Sequence, residues 1–368
     1  VHYQSNLKKI YFTVTNDLSY DQRMHRICGS LASSGYEVVL VGRRLKNSAP
    51  LLNRPYRQKR LHCFFNKGFL FYAEYNLRLF FYLVKQRMHA VCAIDLDTIL
   101  PCLLVSKIKG VARIYDAHEY FTEMKEVRTR PLVRRVWKLV EKIAVPAYKN
   151  GYTVSEGLAA AFKREYRSDY QVIRNVPVLK PIPETGPREK LLLYQGYVNE
   201  ARGFEYLIPA MQEVPYKLVI CGDGNYMKQL KKLIAKHGVE QKIELKGMLL
   251  PHLLEQETLR ASLGITLAEK EGINQFMALP NKFFDYMHAG LPQLAMNFPE
   301  YQKINEQHEV AVLINELSPA TISATINRVM EDETLLARLR ENCLKARLVY
   351  NWEAEEKQLL HFYRMVLG

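Results

Sequence analysis

No Cys-x-x-Cys pair occurs in the 368 residues, and the six cysteines stand far apart at Cys28, Cys63, Cys92, Cys102, Cys221 and Cys343. That scatter argues against a zinc module or a disulfide framework, so no metal is expected and a reducing, cytoplasmic compartment fits best. No run of about 18 uninterrupted apolar residues exists, which leaves nothing expected to span a bilayer. The apolar core of a signal peptide is missing as well, because Lys8-Lys9 leads through a short strand-like run into polar Thr15-Asn16-Asp17. Acidic residues are scarce in the first half: residues 1–180 hold 14 Asp and Glu against 31 Lys and Arg, whereas residues 181–368 hold 24 against 21. The whole net charge of +14 therefore lies in the first half. Such polarity points that half towards an anionic surface or substrate, the plainer alternative being a charge that only aids solubility. Nucleic acid is the other anion to consider, but no nucleic-acid module is recognisable and that partner is not expected.

At 48% hydrophobic residues, the chain is long enough for two domains, each with its own core. Its first part alternates short apolar runs with helical patterns. Lys9 to Val14 reads as a strand, Asp21 to Ser33 as a helix ended by Gly35, and Glu37 to Gly42 as the next strand. Further strands are expected at Ala90 to Ile94, Val111 to Asp116 and Gly151 to Thr153-Val154, short and apolar as buried parallel strands are. Four prolines between Val176 and Pro187 then interrupt the pattern. After them strands recur at Lys190 to Gly196, Tyr216 to Gly222, Ile243 to Gly247 and Leu263 to Leu267, with a helix over Phe204 to Gln212. The expected organisation is a Rossmann-like domain over 1–176, a linker over 177–188, a second Rossmann-like domain over 189–350 and a C-terminal helix over 351–368 that returns to the first. In open parallel sheets ligands bind beyond the carboxyl ends of the strands, so an α/β chain with two such domains is expected to bind in the cleft where they face each other.

The second half carries the richer motifs. Gly196 ends one strand, and Arg202-Gly203 lies just before a helix, where a cation and free N–H groups suit a diphosphate. Gly222-Asp223-Gly224 ends the next strand, with glycines that allow either a tight turn or close approach of a ligand. The most specific run is Leu279-Pro280-Asn281-Lys282-Phe283-Phe284-Asp285-Tyr286. Pro280 sets a helix start, and Lys282 then sits in the first turn against the helix dipole, where it calls for an anion. Asp285 follows on nearly the same face, placed to accept hydrogen bonds from ribose hydroxyls.

With Tyr115-Asp116-Ala117-His118-Glu119, Asn16-Asp17, Asp21-Gln22-Arg23, Arg174-Asn175-Val176-Pro177 and Phe298-Pro299-Glu300-Tyr301, these motifs make the chain resemble, over nearly its whole length, the GT-B-fold glycosyltransferases of family 4, in particular a Bacteroidetes-type subgroup. The resemblance implies retaining transfer of a hexosyl-type group from a UDP- or GDP-linked sugar, a substrate and not a cofactor, to a growing cell-surface polysaccharide or lipid-linked glycan. It implies that Arg202 and Lys282 neutralise the leaving diphosphate and that His118 contacts the transferred sugar. It places Gly196, Gly222, Gly224, Asn281 and Asp285 in the donor site, and Asn16, Asp17 and Arg23 on the acceptor side. The family has two glutamates separated by seven residues, the first touching the sugar; here that first position is Met277. Glu271, or Glu269 beside it, is expected to reach the same place through a longer loop, the alternative being backbone N–H groups near Met277. Asp95-Leu96-Asp97 reads as structural or acceptor-facing.

Arg128 to Leu139 is basic and amphipathic with Trp137, and Phe69 to Val84 is aromatic-rich. Both fit peripheral docking on the anionic inner face of the plasma membrane, the aromatic stretch fitting a core helix equally well. Two further functional readings stand beside transfer: an epimerase or hydrolase, for which no carboxylate pair has convincing spacing, and a sugar-nucleotide-binding relative without catalysis, which Met277 keeps open.

Overall fold

A computed structural model describes residues 7–19, 21–183 and 187–368. The first six residues of the expected first domain and residues 184–186 of the expected linker lie outside the described residues. The chain divides into two compact units, one running to Asn175 and including Ala354–Gly368, the other Val176–Glu353.

The first unit is built on a seven-stranded, wholly parallel sheet of β1 (Lys9–Thr13), β2 (Glu37–Arg44), β3 (Arg57–His62), β4 (Ala90–Ile94), β5 (Ala112–Ala117), β6 (Asn150–Thr153) and β7 (Gln171–Val172), in the order β3-β2-β1-β4-β5-β6-β7. All five residues of β4 are buried, as a central strand covered on both faces requires. β3 carries Arg57, Lys59 and Arg60 and no apolar run, so hydrophobic pattern alone does not reveal it. It sits at the sheet edge, where charge discourages pairing with another chain. The helix Gln22–Ser33 joins β1 to β2 and is capped by the Asp21 carboxylate, which accepts the Met24 N–H at 3.0 Å. From the C-terminal helix Trp352–Leu367, Tyr363 stacks towards Phe12 (6.0 Å between centroids), and Glu355 accepts the Arg174 N–H at 2.9 Å.

In the second unit β8 (Glu189–Gln195), β9 (Lys217–Cys221), β10 (Ile243–Gly247), β11 (Ala261–Thr266), β12 (Gln293–Met296) and β13 (Ala311–Ile314) form a parallel sheet in the order β10-β9-β8-β11-β12-β13. Leu192, Tyr194, Ile220, Ile265 and Leu294 from the strands pack with Phe283, Phe284 and Met287 of one helix in its core. Each sheet reverses its strand order next to its first strand, between β1 and β4 and between β8 and β11. That reversal opens a crevice at the carboxyl edge of each sheet, where neighbouring crossovers run to opposite faces.

Candidate donor and acceptor-side sites

In the second unit the crevice is shaped first by backbone. Gly196 follows β8 with φ +116°, and a Cβ on Gly222, at the end of β9, would lie 1.8 Å from the Gly196 carbonyl oxygen. Only a residue without a side chain lets these two strand ends approach so closely. A Cβ on Gly224 would meet the Val198 carbonyl at 2.3 Å, so the second glycine keeps the adjoining loops in contact.

Into this crevice the helix Asn281–His288, entered through Pro280, brings Lys282. Part of the lysine stem is exposed, but Nζ itself is buried and has no hydrogen-bond partner among the described residues. It lies 3.4 Å from the centroid of the Tyr194 ring, a cation–π contact, and its Cε is 3.6 Å from where a Gly196 Cβ would stand. Burial, and then the nearby Arg202 charge, hold the ammonium well below the ordinary lysine range, against the opposing pull of Asp285. Arg202 is half-buried, and among the described residues it has neither hydrogen bond nor ion pair. Two unpaired cations thus converge at the end of β8, an arrangement that a bound anion relieves.

Asp285, one turn beyond Lys282, accepts a hydrogen bond from Gln195 Nε2 at 3.0 Å, and Gln195 Oε1 accepts from Thr258 Oγ1 at 3.0 Å. The Tyr286 hydroxyl accepts the Gln195 N–H and donates to the Leu193 carbonyl, both at 3.0 Å. The carboxylate is therefore aimed by a chain of hydrogen bonds rooted in β8. Asn281 is exposed at the first position of the same helix.

The longer loop between β11 and this helix is tied to the residue before Arg202. Ala201 O accepts both the Glu269 N–H (3.1 Å) and Gln275 Nε2 (2.6 Å). Burial raises the Tyr226 hydroxyl, and Glu205, Glu200 and Glu269 add to the shift. Met277 closes the short helix Gly272–Phe276, and its own N–H is spent on the Ile273 carbonyl at 2.9 Å.

In the first unit the ends of β1, β4 and β5 contribute a connected polar cluster. His118 Nε2 is 3.0 Å from Asp116 Oδ2, its Nδ1 is 3.7 Å from Asp95 Oδ2, and its backbone N–H donates to Asp95 Oδ1 at 2.9 Å. Asp95 holds a left-handed backbone (φ +55°), a strain that side-chain acceptance of the His118 and Glu119 N–H groups offsets. Asp97 accepts from Thr15 Oγ1 at 2.5 Å. Asn16 is exposed, with its amide on Asp21 at 2.6 Å, and Asp17 caps its own loop through the Ser19 N–H at 3.0 Å. Arg23 requires a correction. Expected on the acceptor side, it is 3% exposed, with Nη2 2.8 Å from Asp116 Oδ1 and Nη1 on the Ile173 carbonyl at 3.0 Å. Its guanidinium faces the carboxylate beneath His118 and not an incoming ligand.

Burial dominates the titration of this cluster. It pushes Asp95 up to about 7 and Asp97 to about 6, against the lowering effects of His118 and of the Thr15 hydrogen bond respectively. Burial also raises Asp116, yet Arg23 and His118 together hold it below the ordinary carboxylate range. Burial lowers His118, but Asp116 and Asp95 bring it out above the usual histidine value. For Asp95 and Asp97 the folded chain keeps protons that the unfolded chain has released above about pH 4. Their contribution to stability therefore falls as pH rises towards about 7, and the raised His118 acts in the same direction. Thermal unfolding followed from about pH 5 to 8 is expected to show a declining midpoint, with Asp95→Asn flattening the decline. Parallel curves for the variant and the wild type would rule this assignment out.

The second unit also matches a family model, that of the glycosyl transferases group 1, over residues 178–346. Over those residues the chain is similar to the group 1 glycosyl transferases. An uncharacterized glycosyltransferase of Methanocaldococcus jannaschii is 24% identical over 186 residues, covering 49% of this chain and 46% of that protein. The chain thus matches about half the length of the curated relatives. Among solved structures, sucrose-phosphate synthase from Thermosynechococcus elongatus superimposes with a TM-score of 0.83 at 16% identity, covering 97% of this chain and 98% of that one. Anabaena HepE in complex with UDP-glucose gives 0.76 at 13% identity, covering 97% and 99%. At such identities these likenesses speak to the fold alone, α/β with two Rossmann-like parallel sheets as in GT-B proteins.

The matched residues contain Arg202, Lys282 and Asp285 together with the Gly196–Gly222 contact. The roles of two contributors to this site give no signal in the sequence. Tyr194, whose ring lies against Nζ, reads as an ordinary apolar strand residue. Gln195, which aims Asp285, gives no signal beyond being a polar residue at a strand end. In the first unit the grip of Asp95 on the His118 and Glu119 N–H groups was equally hidden, since nothing local announces a left-handed aspartate.

Proposed function

We propose that the chain is a retaining glycosyltransferase that moves a sugar from a UDP- or GDP-linked donor to a lipid-linked or growing cell-surface glycan. The observation that carries this reading is Lys282 Nζ, buried and without a hydrogen-bond partner among the described residues, beside Arg202 at the strand end that Gly196 and Gly222 shape. A diphosphate supplies the negative charge both cations lack, and Asp285, aimed by Gln195, receives the ribose. In the transfer step the bond from the anomeric carbon to the phosphate oxygen breaks as the acceptor oxygen bonds on the same face. The acceptor proton passes to the departing phosphate oxygen. Lys282 and Arg202 stabilise the charge that develops there, and the role that the family resemblance gives His118, contact with the transferred sugar, falls to a ring held by Asp116 and Asp95. Anabaena HepE, solved with UDP-glucose on a similar fold, supports a nucleotide-sugar substrate. The same reading makes the protein peripheral on the inner face of the plasma membrane, where a lipid-linked acceptor resides.

The test is a panel of UDP- and GDP-sugars assayed for release of the nucleoside diphosphate with and without glycan acceptors, followed by assignment of the product's anomeric configuration. Transfer with retention is the expected outcome. Absence of any turnover, with nucleotide binding unchanged by Lys282→Ala, favours the non-catalytic or epimerase and hydrolase readings instead. An inverted product overturns the same-face step.

A further inference from the structure

The helix Pro131–Ala144 is strongly amphipathic, and only Trp137 and Ala144 of its apolar residues turn clearly towards the protein. Its polar side faces the protein: Glu141 is 1% exposed and is bonded to Thr122 (2.9 Å), Tyr166 (2.6 Å) and Lys138 (2.8 Å). Its apolar side faces outward, with Leu132 at 75%, Val136 at 54%, Leu139 at 59% and Ile143 at 60% exposure. The spacing of these four residues places them on one stripe. Arg135 and Lys142 are exposed along one edge of that stripe, and among the described residues they have no ion-pair or hydrogen-bond partner. The neighbouring helix Ile99–Lys109 continues the pattern, exposing Leu104 and Ile108 beside Lys107. A soluble surface rarely leaves so continuous an apolar strip uncovered.

We infer that the outward stripe of the Pro131–Ala144 helix, with Leu104 and Ile108 beside it, is a docking face for an anionic lipid surface. An apolar stripe bordered by lysine and arginine is the pattern of a helix lying in the plane of a bilayer interface, its apolar side among the acyl chains and its cations at the headgroups. A second copy of the chain fits less well in an antiparallel two-fold contact through this strip, which sets Arg135 and Lys142 of one copy beside the like charges of the other. Geometry adds a consequence. Crossover helices of a parallel sheet begin at the carboxyl ends of the strands they follow, so the exposed first turn with Leu132 lies at the same edge of the first unit as His118. Docking there brings that edge to the membrane. The inference rests on the reading of a lipid-linked acceptor and specifies the face that meets it.

Flotation of the full chain with vesicles of phosphatidylcholine, with and without phosphatidylglycerol, tests it. The wild type is expected to float with the anionic vesicles and not with the neutral ones, and to be released by high salt. Leu139→Asp with Ile143→Asp, and separately Arg135→Glu with Lys142→Glu, are each expected to weaken binding at least about tenfold. Both pairs are exposed, so the thermal midpoint and the stabilisation by nucleoside diphosphate are expected to stay as in the wild type. Equal flotation on neutral and anionic vesicles overturns the inference, as does wild-type flotation by both variants. So does a dimer in solution that the Asp variant dissociates. Nucleotide turnover without vesicle binding sinks this inference alone, whereas vesicle binding without any nucleotide effect sinks the transferase reading and leaves the lipid face standing.

Discussion

Replacing Lys282 with alanine is expected to lower donor turnover by about 10²- to 10³-fold, the scale observed when one preorganised donor to a developing oxyanion is removed. The physical ground is the state of Nζ in the unliganded site. It is buried, without a hydrogen-bond partner among the described residues, and pushed towards its neutral form by burial and by Arg202. A bound diphosphate raises the lysine's affinity for its proton again, so binding takes up a proton wherever the free lysine is partly neutral. The sign follows directly: nucleotide affinity is highest where the free lysine is still protonated, and it falls as pH rises through the lowered free-state pKa. Titration calorimetry in two buffers of different ionisation heat measures the uptake, and Lys282→Ala is expected to abolish this component. Turnover within about threefold of wild type in the variant would show that Lys282 does not hold the leaving group.

Arg23→Met is expected to cost about 3–5 kcal/mol in the stability of the first unit, because it strands the fully buried Asp116 carboxylate. For a unit of this size that corresponds to a midpoint lowered by roughly 10 °C. The pair Arg23→Met with Asp116→Asn removes the stranded charge and is expected to recover most of the loss, a non-additivity that a simple packing defect does not produce. His118 is affected too, since Asp116 is its partner at 3.0 Å. The single variant is therefore expected to lose turnover at temperatures where it is still folded. A midpoint lowered by less than about 2 °C counts against the buried-pair account.

The strands the sequence revealed were those with a short apolar run. β4 is buried along its whole length, and β8 and β9 are buried over all but their first residues, so hydrophobicity alone marked them. β3, on the edge, is held by backbone pairing to β2 and carries charges outward, so no side-chain pattern gave it away. Among the site residues, glycines and a lysine at a helix start were legible because each breaks a local preference. A glycine at a strand end and a cation against a helix dipole need a reason, and the ligand supplies one. Residues that act by supporting others broke no local rule. Tyr194 beneath the ammonium and Gln195 aiming Asp285 read as ordinary members of a strand.

By itself the sequence determined the alternation of strand and helix, the strand-end glycines and the presence of Lys282 in the first turn of its helix, because these follow from spacing along the chain. It also determined that the positive charge lies in the first half. Only the tertiary structure decided that Arg23 turns inward to Asp116, that Asp95 grips His118 from another strand, and that the helix Pro131–Ala144 shows its apolar side to solvent. Each of these depends on which elements the fold sets side by side. An amphipathic period says that a helix has two faces, and only the packing of Glu141 against Thr122 and Tyr166 says which of them points out.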